Sequence, residues 1–391
     1  MDRALRVRLR KPLERSIRSG HPWLFRDALE AFDAMPGSAV RIDDKNGRFL
    51  AIGLAEAGPI AVRVFALRDI AIDRALFDAR LERAWTLRAR VVPDDTDAYR
   101  LVHGEGDGLP GFTCDRYGAC AVLKIDGEAA DARASDLIAS LTPRLSELGI
   151  DSLVLRSGRK QDRESEVVWG KAPARELIVR EHGMRLCTNV YEGQKTGLFL
   201  DHRETRRRVR ALARGLRVLN LYGYTGGFSI AAALGGAREV ATVDIAKPAL
   251  ALAEASYRAN DLAAAPHTLH AADALSYLES AAKSGESFDL IIADPPNFAP
   301  RKTALDKALS TYEALHAAVL RVLVPDGLYV AASCSSHVDR AAFEESLRRG
   351  AAHARRVLQV LERSSAPADH PRLLAFPEGD YLKVLIARAL S

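Results

Sequence analysis

The sequence contains few cysteines and no long apolar run. Its 391 residues include four cysteines, none of which forms a CxxC pair, so a structural zinc site is not expected. No stretch approaches the ~20 uncharged apolar residues that a transmembrane helix needs, so no membrane span is expected. The first residues, MDRALRVRLRKPLERS, carry charges where an export signal would be apolar. We therefore expect a cytoplasmic protein with reduced thiols and without a metal ion.

Positive charge is concentrated near the start of an otherwise ordinary globular composition. Hydrophobic residues make up 48% and charged residues 27% of the chain, and the net charge is +5. Residues 1–26 hold eight Lys or Arg against two acidic residues. Such a cluster suits contact with the phosphates of a nucleic acid, although a solvated basic face is an equal alternative. The candidate contacts are Arg6, Arg8, Arg10, Lys11 and Arg18, with Arg3 in the same cluster.

The hydrophobic patterning predicts three domains. Residues 1–70 contain short alternating β-segments separated by turn residues, which predicts a small β-barrel. Residues 71–186 combine a helix that ends before Pro93, a loop-rich stretch over 99–118 and further strand-like and helical segments, which predicts a central α+β domain. Residues 187–391 alternate strands with helices, which predicts an α/β domain with a parallel, doubly wound sheet.

Unusual residues follow the predicted strands of the α/β domain. In open α/β sheets the carboxyl ends of the strands form one crevice where ligands bind. We therefore expect these residues to converge there. They are Asn220-Leu221-Tyr222-Gly223-Tyr224-Thr225-Gly226-Gly227-Phe228 after the first strand, Asp244 after the second, Asp273 after a third, Asp294-Pro295-Pro296 after FDLIIAD and Cys334 after GLYVAAS.

The glycines and the first two carboxylates in this set suit a nucleotide-type ligand. Gly226 and Gly227 allow the backbone to approach a ligand closely before a helix begins, but a GxGxxG pattern is absent, which disfavours NAD or FAD. Asp244 stands where an acidic residue can accept hydrogen bonds from ribose hydroxyls. Asp273 could face an adenine amino group, or it could simply cap the following helix.

The Asp-Pro-Pro turn and the cysteine suggest chemistry on a base. Two prolines after Asp294 make a stiff turn that can hold a carboxylate against a flat base edge, although a rigid loop without a ligand is the alternative. A thiol is a competent nucleophile when its pKa is lowered, whereas an arbitrary cysteine is more often a small buried hydrophobe. The position of Cys334 opposite Asp294 favours the nucleophile, and His337 could tune it.

With these motifs the sequence resembles the PUA-domain ribosomal RNA cytosine-C5 methyltransferases, which carry a class I (Rossmann-like) methyltransferase domain. Residues 220–228 are similar to motif I of class I methyltransferases, with aromatic residues in place of two glycines. The resemblance covers nearly the whole chain. The further matching segments are Ser19–Phe25 for the PUA barrel, Gly104–Gly111 and Asp115–Gly118 for the central domain, Gly193–Asp201, Asp294–Phe298 and Ser333–Ser335 for the catalytic domain, and Asp369–Pro371 and Phe376–Lys383 for a C-terminal hairpin.

The resemblance implies S-adenosylmethionine as the cofactor and RNA, specifically 23S rRNA, as the partner. It implies that Cys334 adds to C6 of an unstacked cytosine, that Asp294 holds the N3/N4 edge, and that Pro296 and Phe298 contact the base. The oligomeric state stays open, and a homodimer is one alternative, since a barrel and an open sheet edge can both self-associate. The implied cofactor contacts are Gln194, Lys195, Thr196, Gly197, Phe199, Asn220, Tyr222, Tyr224, Thr225, Gly226, Gly227, Phe228, Asp244, Ile245, Asp273, Ala274, Asp294 and Pro295.

Two departures from the family pattern and three rival functions remain open. His202 stands where glutamine is expected and Ser336-His337 where glycine is frequent, and we expect neither to contact Cys334 or Asp294. One rival is an N-directed RNA methyltransferase, for instance at guanine N7, which Asn297 directly after the prolines disfavours. The others are an RNA-binding assembly factor with a non-catalytic fold and a nicotinamide dehydrogenase.

Overall fold

The computed structural model describes residues 4–157 and 164–390. Arg3 of the basic cluster, residues 158–163 of the predicted central domain and Ser391 lie outside the described residues. The chain forms two compact units. The first takes in the residues up to Leu177 together with Asn189–Gly197 and Ala368–Gly379, and the second takes in Ile178–Thr188, Leu198–Pro367 and the residues from Asp380 onward.

The first unit begins with a five-stranded sheet in the order β1-β3-β4-β5-β2. Alternating residues of β1 are buried (Val7) and exposed (Arg6, Arg8), as expected for strands that cover a small core on one face. The sequence predicted four of these strands but missed β2, which is only three residues long. The elements are β1 Leu5–Arg8, α1 Glu14–Arg18, β2 Trp23–Phe25, β3 Ala39–Asp43, β4 Phe49–Ala55 and β5 Ile60–Ala66.

A second five-stranded sheet completes most of the first unit, in the order β10-β9-β8-β7-β6. The loop-rich prediction for 99–118 is wrong, because two antiparallel strands flank a short turn there. The glycines and Pro110 that suggested a loop are concentrated in that turn, between 104 and 111. The elements are α2 Arg74–Val91, β6 Ala98–His103, β7 Phe112–Tyr117, β8 Cys120–Ile125, α3 Glu128–Asp131, α4 Ala134–Glu147, β9 Ser152–Ser157 and β10 Glu164–Gly170.

The second unit is built on a seven-stranded sheet in the order β15-β14-β13-β16-β17-β19-β18. Strands β13 to β17 pair in parallel, and β19 is antiparallel to both of its neighbours. The elements are β11 Glu176–Glu181, β12 Met184–Asn189, α5 Arg203–Leu212, β13 Arg217–Leu221, α6 Gly227–Leu234, β14 Glu239–Asp244, α7 Lys247–Ala259, β15 His267–Ala271, α8 Ala274–Ser284, β16 Phe288–Ala293, α9 Leu305–Val322, β17 Leu323–Ser333, α10 Arg340–His353, β18 Val357–Ser364 and β19 Lys383–Leu390.

Successive residues of the central strands point to opposite faces of the sheet and pack in two different hydrophobic cores. Leu219 and Ile291 pack with α8, α9 and α10 on one face, whereas Val218 and Ile292 pack with α5 and α6 on the other. This burial on both faces explains the continuous apolar runs from which the parallel sheet was predicted. The chain leaves β13 towards β14 on one side and later returns to β16 on the other side. The strand order therefore reverses at β13, and the carboxyl ends of β13, β14, β16 and β17 surround the crevice where ligands are expected.

Candidate active site

The turn after β13 has an unusual backbone. Tyr222 (φ +57°) and Tyr224 (φ +47°) both adopt the left-handed conformation, which is strained for aromatic residues. Gly226 (φ +76°) needs to be glycine for two reasons, since a Cβ there would also lie 2.7 Å from the Cβ of Ala253 in α7. The turn is thus wound tightly into the start of α6, where backbone N–H groups point outward.

Asn220 anchors this turn from below. Its side chain is 1% exposed and its Nδ2 donates to Ser229 Oγ at 2.8 Å, and Ser229 Oγ lies 2.7 Å from Thr242 Oγ1 of β14. Asn220 Oδ1 is buried and has no hydrogen-bond partner among residues 4–157 and 164–390. The site therefore contains an unused buried acceptor, which normally signals a missing donor.

Asp244 connects this turn to the end of β14. Its Oδ2 accepts from Tyr224 N and its Oδ1 accepts from Ala246 N, both at 2.8 Å. The side chain of Ile245, directly after it, is 76% exposed. The half-buried Asp244 carboxylate can accept hydrogen bonds from hydroxyl groups of a ligand. The exposed Ile245 side chain next to it provides an apolar surface for a ring of the same ligand.

Asp273 caps a helix in the structure. Strand β15 ends at Ala271, two residues earlier than predicted, and Asp273 Oδ1 accepts from Ser276 N at 2.9 Å at the start of α8. Ala274, the first residue of α8, is 3% exposed. The helix cap that the sequence left open is therefore present, and contact with an adenine amino group stays a prediction.

The structure brings the predicted thiol and the Asp-Pro-Pro turn together. Cys334 Sγ lies 4.0 Å from the carbonyl oxygen of Pro295, and the Cys334 side chain is half-buried, whereas the other three cysteines are buried. The two segments are joined again one residue further on, where Ser335 Oγ donates to Asn297 Oδ1 at 2.7 Å. Asn297 thus holds the turn against the cysteine loop. From the sequence alone, this residue served only as an argument against an N-directed methyltransferase.

Tyr312 of α9 braces the cysteine loop from beneath. Its hydroxyl is hydrogen-bonded to Ser333 Oγ at 2.9 Å and to Ser335 Oγ at 3.2 Å. Burial raises the pKa of Tyr312 to about 12, so the hydroxyl keeps its proton at neutral pH. Its ring also packs against Phe298, at a centroid distance of 4.9 Å. Nothing in the sequence pattern singled out Tyr312, because its position in α9 is that of an ordinary core residue.

His202 contacts the Asp294 carboxylate, so the expectation that it would not is wrong. His202 Nε2 lies 3.1 Å from Asp294 Oδ2, and the side chains are 2% and 16% exposed. His202 Nδ1 is buried without a hydrogen-bond partner in the described part of the chain, and its ring packs edge-on against Phe228 at 5.3 Å. The sequence could not reveal this pair, because the short helical turn before α5 carries no signal of where it meets β16.

The predicted cofactor segment 194–199 divides between the two units. Gln194–Gly197 belong to the first unit, where the Thr196 hydroxyl donates to Asp115 Oδ2 at 2.6 Å and lies 2.8 Å from Tyr117 OH. Arg156 Nη1 donates to the carbonyl oxygens of Gly193 and Lys195, both at 2.8 Å. The central sheet therefore holds this loop, and the roles predicted for its members stay predictions.

Phe199 and the remaining motif residues belong to the second unit. The Phe199 ring packs edge-on against Tyr224 at 5.3 Å. Thr225 is 3% exposed and Phe228 is 7% exposed, so both contribute mainly to packing around the turn. Pro296 is exposed beside the buried Pro295.

The basic residues predicted near the start of the chain face solvent. Arg6 lies 3.3 Å from Asp43, and Lys11 pairs with Asp27. The Lys11–Asp27 pair is exposed on both sides, and such pairs contribute little to stability, whereas Asp43 is buried and only its partner Arg6 faces solvent. The exposed set is Arg6, Arg8, Arg10, Lys11 and Arg18.

Over residues 4–157 and 164–390, no group of three or more His, Cys, Asp or Glu side chains is arranged to hold a metal ion. None of the helices described here combines the length and the apolar character required to cross a bilayer.

Comparison with known proteins identifies the family. The S-adenosylmethionine-dependent methyltransferase family matches residues 138–387, and the PUA-like domain family matches residues 7–67. The chain belongs to the S-adenosylmethionine-dependent methyltransferases. This confirms S-adenosylmethionine as the cofactor and confirms the predicted α/β fold with an N-terminal PUA-like domain.

Two relatives of this methyltransferase align over nearly their whole length. One is the ribosomal RNA large subunit methyltransferase of Deinococcus radiodurans, 36% identical over 97% of this chain and 96% of the relative. The other is the ribosomal RNA large subunit methyltransferase I of Erwinia tasmaniensis, 34% identical over 99% of this chain and all of the relative. A solved methyltransferase structure in complex with SAH covers 98% of this chain and 99% of its own, with a TM-score of 0.88 and 24% identity, and thus shares the fold.

The residues after β13 and β14 fit such a cofactor. The Asp244 carboxylate suits ribose hydroxyls, and the exposed Ile245 suits one face of an adenine ring. The unused acceptor of Asn220 and the N–H groups before α6 are further polar groups at the same turn. Together these groups suit a nucleoside with a charged tail.

Proposed function

We propose that this methyltransferase acts on RNA, specifically on 23S rRNA, and forms 5-methylcytosine through a covalent bond between Cys334 and the base. The relatives named above support the choice of RNA, since both are called ribosomal RNA large subunit methyltransferases. The PUA-like domain and its solvent-facing Arg and Lys residues provide a surface for phosphates.

One observation carries the choice of carbon over nitrogen. The thiol of Cys334 lies 4.0 Å from the Pro295 carbonyl, in the turn that begins with the Asp294 carboxylate. An exocyclic nitrogen already has a lone pair and needs no nucleophile, whereas C5 of cytosine becomes nucleophilic only after a group adds to C6. A half-buried thiol at this position is therefore useful for carbon methylation and has no evident use in nitrogen methylation.

The residues act in a defined order. The Cys334 thiolate forms a bond to C6, and the electron pair of the C5–C6 double bond moves towards N3. Asp294 holds the N3/N4 edge and stabilises the adduct, and His202 Nε2 fixes one oxygen of that carboxylate. When bound, S-adenosylmethionine would supply an electrophilic methyl group to C5 and would leave as S-adenosylhomocysteine. Loss of the C5 proton to a base restores the double bond and releases the Cys334 thiolate by elimination.

The base must leave its stack to reach this crevice. Phe298 packs against Tyr312, and the exposed Pro296 lies next to it in the same turn, so the two offer a flat apolar surface for an extruded ring. Unstacking costs a few kcal/mol, which phosphate contacts elsewhere on the protein can offset.

A trapping experiment tests the covalent step. With S-adenosylmethionine present, RNA that contains 5-fluorocytosine should form a stable adduct with the wild-type protein, because after methyl transfer the fluorine at C5 cannot leave as a proton does. The adduct should be visible as a shifted band in denaturing gels. Cys334→Ala should form no adduct and should lose 5-methylcytosine formation by more than about 10³-fold.

Cys187→Ala is the matched control, because Cys187 is a buried cysteine of the same unit. It should retain the adduct and most of the activity. Full methylation by Cys334→Ala would eliminate the covalent route, and mass spectrometry of the product would then show a methyl group on nitrogen. Absence of any RNA methylation by the wild-type protein would refute the proposed substrate class.

A further inference from the structure

Lys383, the first residue of β19, is a buried amine close to the proposed nucleophile. The residue is 1% exposed, and its Nζ donates to the carbonyl oxygens of Ser335 at 2.6 Å and Tyr381 at 2.9 Å. Among residues 4–157 and 164–390, no carboxylate lies within ion-pair distance of this amine. Burying an ammonium group without a countercharge is costly, so a lysine in this position calls for an explanation beyond packing.

The register of the sheet places this amine beside the cysteine loop. Lys383 pairs with Ser333 across the antiparallel β17–β19 ladder, and Cys334 is the next residue. The hydrogen bond to the Ser335 carbonyl then holds the loop on the other side of the thiol. Lys383 therefore interacts with both residues that flank Cys334, through its backbone pairing with Ser333 and through its side-chain hydrogen bond to Ser335.

The electrostatics agree with this geometry. Burial lowers the pKa of Lys383 to about 8, and a negative Cys334 opposes that shift. The amine is consequently still mostly protonated at neutral pH. A cation next to a thiol favours the thiolate, which is the form that attacks carbon.

We propose that Lys383 is a positioning residue that holds the Cys334 loop in place and sets a positive charge beside the thiol, so that the thiolate forms at neutral pH. The importance of this role for catalysis rests on the proposed function, in which Cys334 is the nucleophile. The effect on the thiol itself can be measured without RNA or cofactor.

Several other titratable or charged groups surround this pair. Asp339, Arg340 and Asp380, from the start of α10 and the segment before β19, act on Lys383. Tyr312 of α9 interacts with Cys334 and with Asp294 of the Asp-Pro-Pro turn. Because substitution of Lys383 leaves all of them in place, a change in thiol ionisation can be assigned to the missing amine.

The test is the pH profile of Cys334 alkylation by iodoacetamide, followed by intact-protein mass spectrometry. We expect Lys383→Met to move the midpoint of the profile upward by about one pH unit, which makes alkylation at neutral pH about tenfold slower. The plateau at high pH, where the thiol is fully ionised, should stay unchanged. A loss of access instead of charge would lower the plateau and leave the midpoint in place, and that result would overturn the proposal.

Lys383→Gln separates charge from hydrogen bonding and provides a second variant if Lys383→Met does not fold. It keeps an N–H donor for the Ser335 carbonyl but carries no charge, so its midpoint should also rise. Lys283→Met, which removes an exposed lysine at the end of α8, should leave the profile unchanged. If folded Lys383→Gln showed the same alkylation midpoint as the wild-type protein, the proposed role of the charge would be refuted. A shifted midpoint in a protein that forms no 5-methylcytosine would refute the proposed function alone.

Discussion

Replacement of Asp244 by asparagine should weaken both the fold and cofactor binding, by amounts that the structure allows us to work out. The carboxylate accepts two backbone hydrogen bonds of 2.8 Å, from Tyr224 N and from Ala246 N. Asparagine has one acceptor oxygen, and its amide group would meet the second N–H donor to donor. One charge-assisted hydrogen bond is therefore lost, which corresponds to about 1.5–3 kcal/mol of unfolding free energy.

The same substitution should reduce affinity for the cofactor. If the carboxylate also accepts a hydrogen bond from a ribose hydroxyl, the lost interaction is again worth about 1.5–3 kcal/mol. That range corresponds to an increase in Kd of roughly 10- to 150-fold. The expected fall in Tm is about 3–12 °C, at roughly 2–4 °C per kcal/mol for a domain of this size.

Calorimetry with S-adenosylhomocysteine measures the affinity, and scanning calorimetry without ligand measures the stability. Asp261→Asn is the matched control, because Asp261 follows α7 with a side chain that is 94% exposed. Both quantities should be unchanged in the control. A lower Tm with an unchanged Kd for Asp244→Asn would show that the carboxylate only supports the turn, and the predicted ribose contact would then be wrong.

Two further substitutions test contacts that the sequence did not predict. His202→Gln keeps a donor for Asp294 and should reduce the methylation rate by less than about tenfold. His202→Ala removes that donor from the carboxylate and should reduce the rate further. Equal rates for the two variants would show that the contact is dispensable. Tyr312→Phe removes the hydroxyl that Ser333 and Ser335 share, so urea unfolding should show a loss of about 1–3 kcal/mol, and an unchanged midpoint would mean that the serines find other partners.

The convergence of strand ends could be predicted because it follows from sheet topology. Asp244, Asp294 and Cys334 each stand at or just after the end of an apolar run, and parallel strands of one sheet share the edge at which those runs end. The residues themselves could be read from the sequence, and their proximity in space followed from the alternation of strands and helices.

The supporting contacts could not be predicted in the same way. His202, Tyr312 and Lys383 reach the site from elements far away in the chain, and each lies in a segment whose pattern is that of an ordinary turn, core helix or strand. A buried histidine–carboxylate contact or a buried amine depends on side-chain direction, which hydrophobic periodicity does not encode. The return of Ala368–Gly379 to the first unit was invisible for a related reason, because the segment has no periodic pattern.

The position of β19 has a consequence for the cysteine loop. It follows β18 in the chain but lies between β17 and β18 in the sheet, so β18 is joined to the sheet only through β19, which docks on β17. That docking also brings the amine of Lys383 to its carbonyl partners. A chain that ended before β19 would keep the five parallel strands, but its cysteine loop would lack the hydrogen bond from Lys383. Competence for the reaction should therefore depend on the docking of the last strand of the chain.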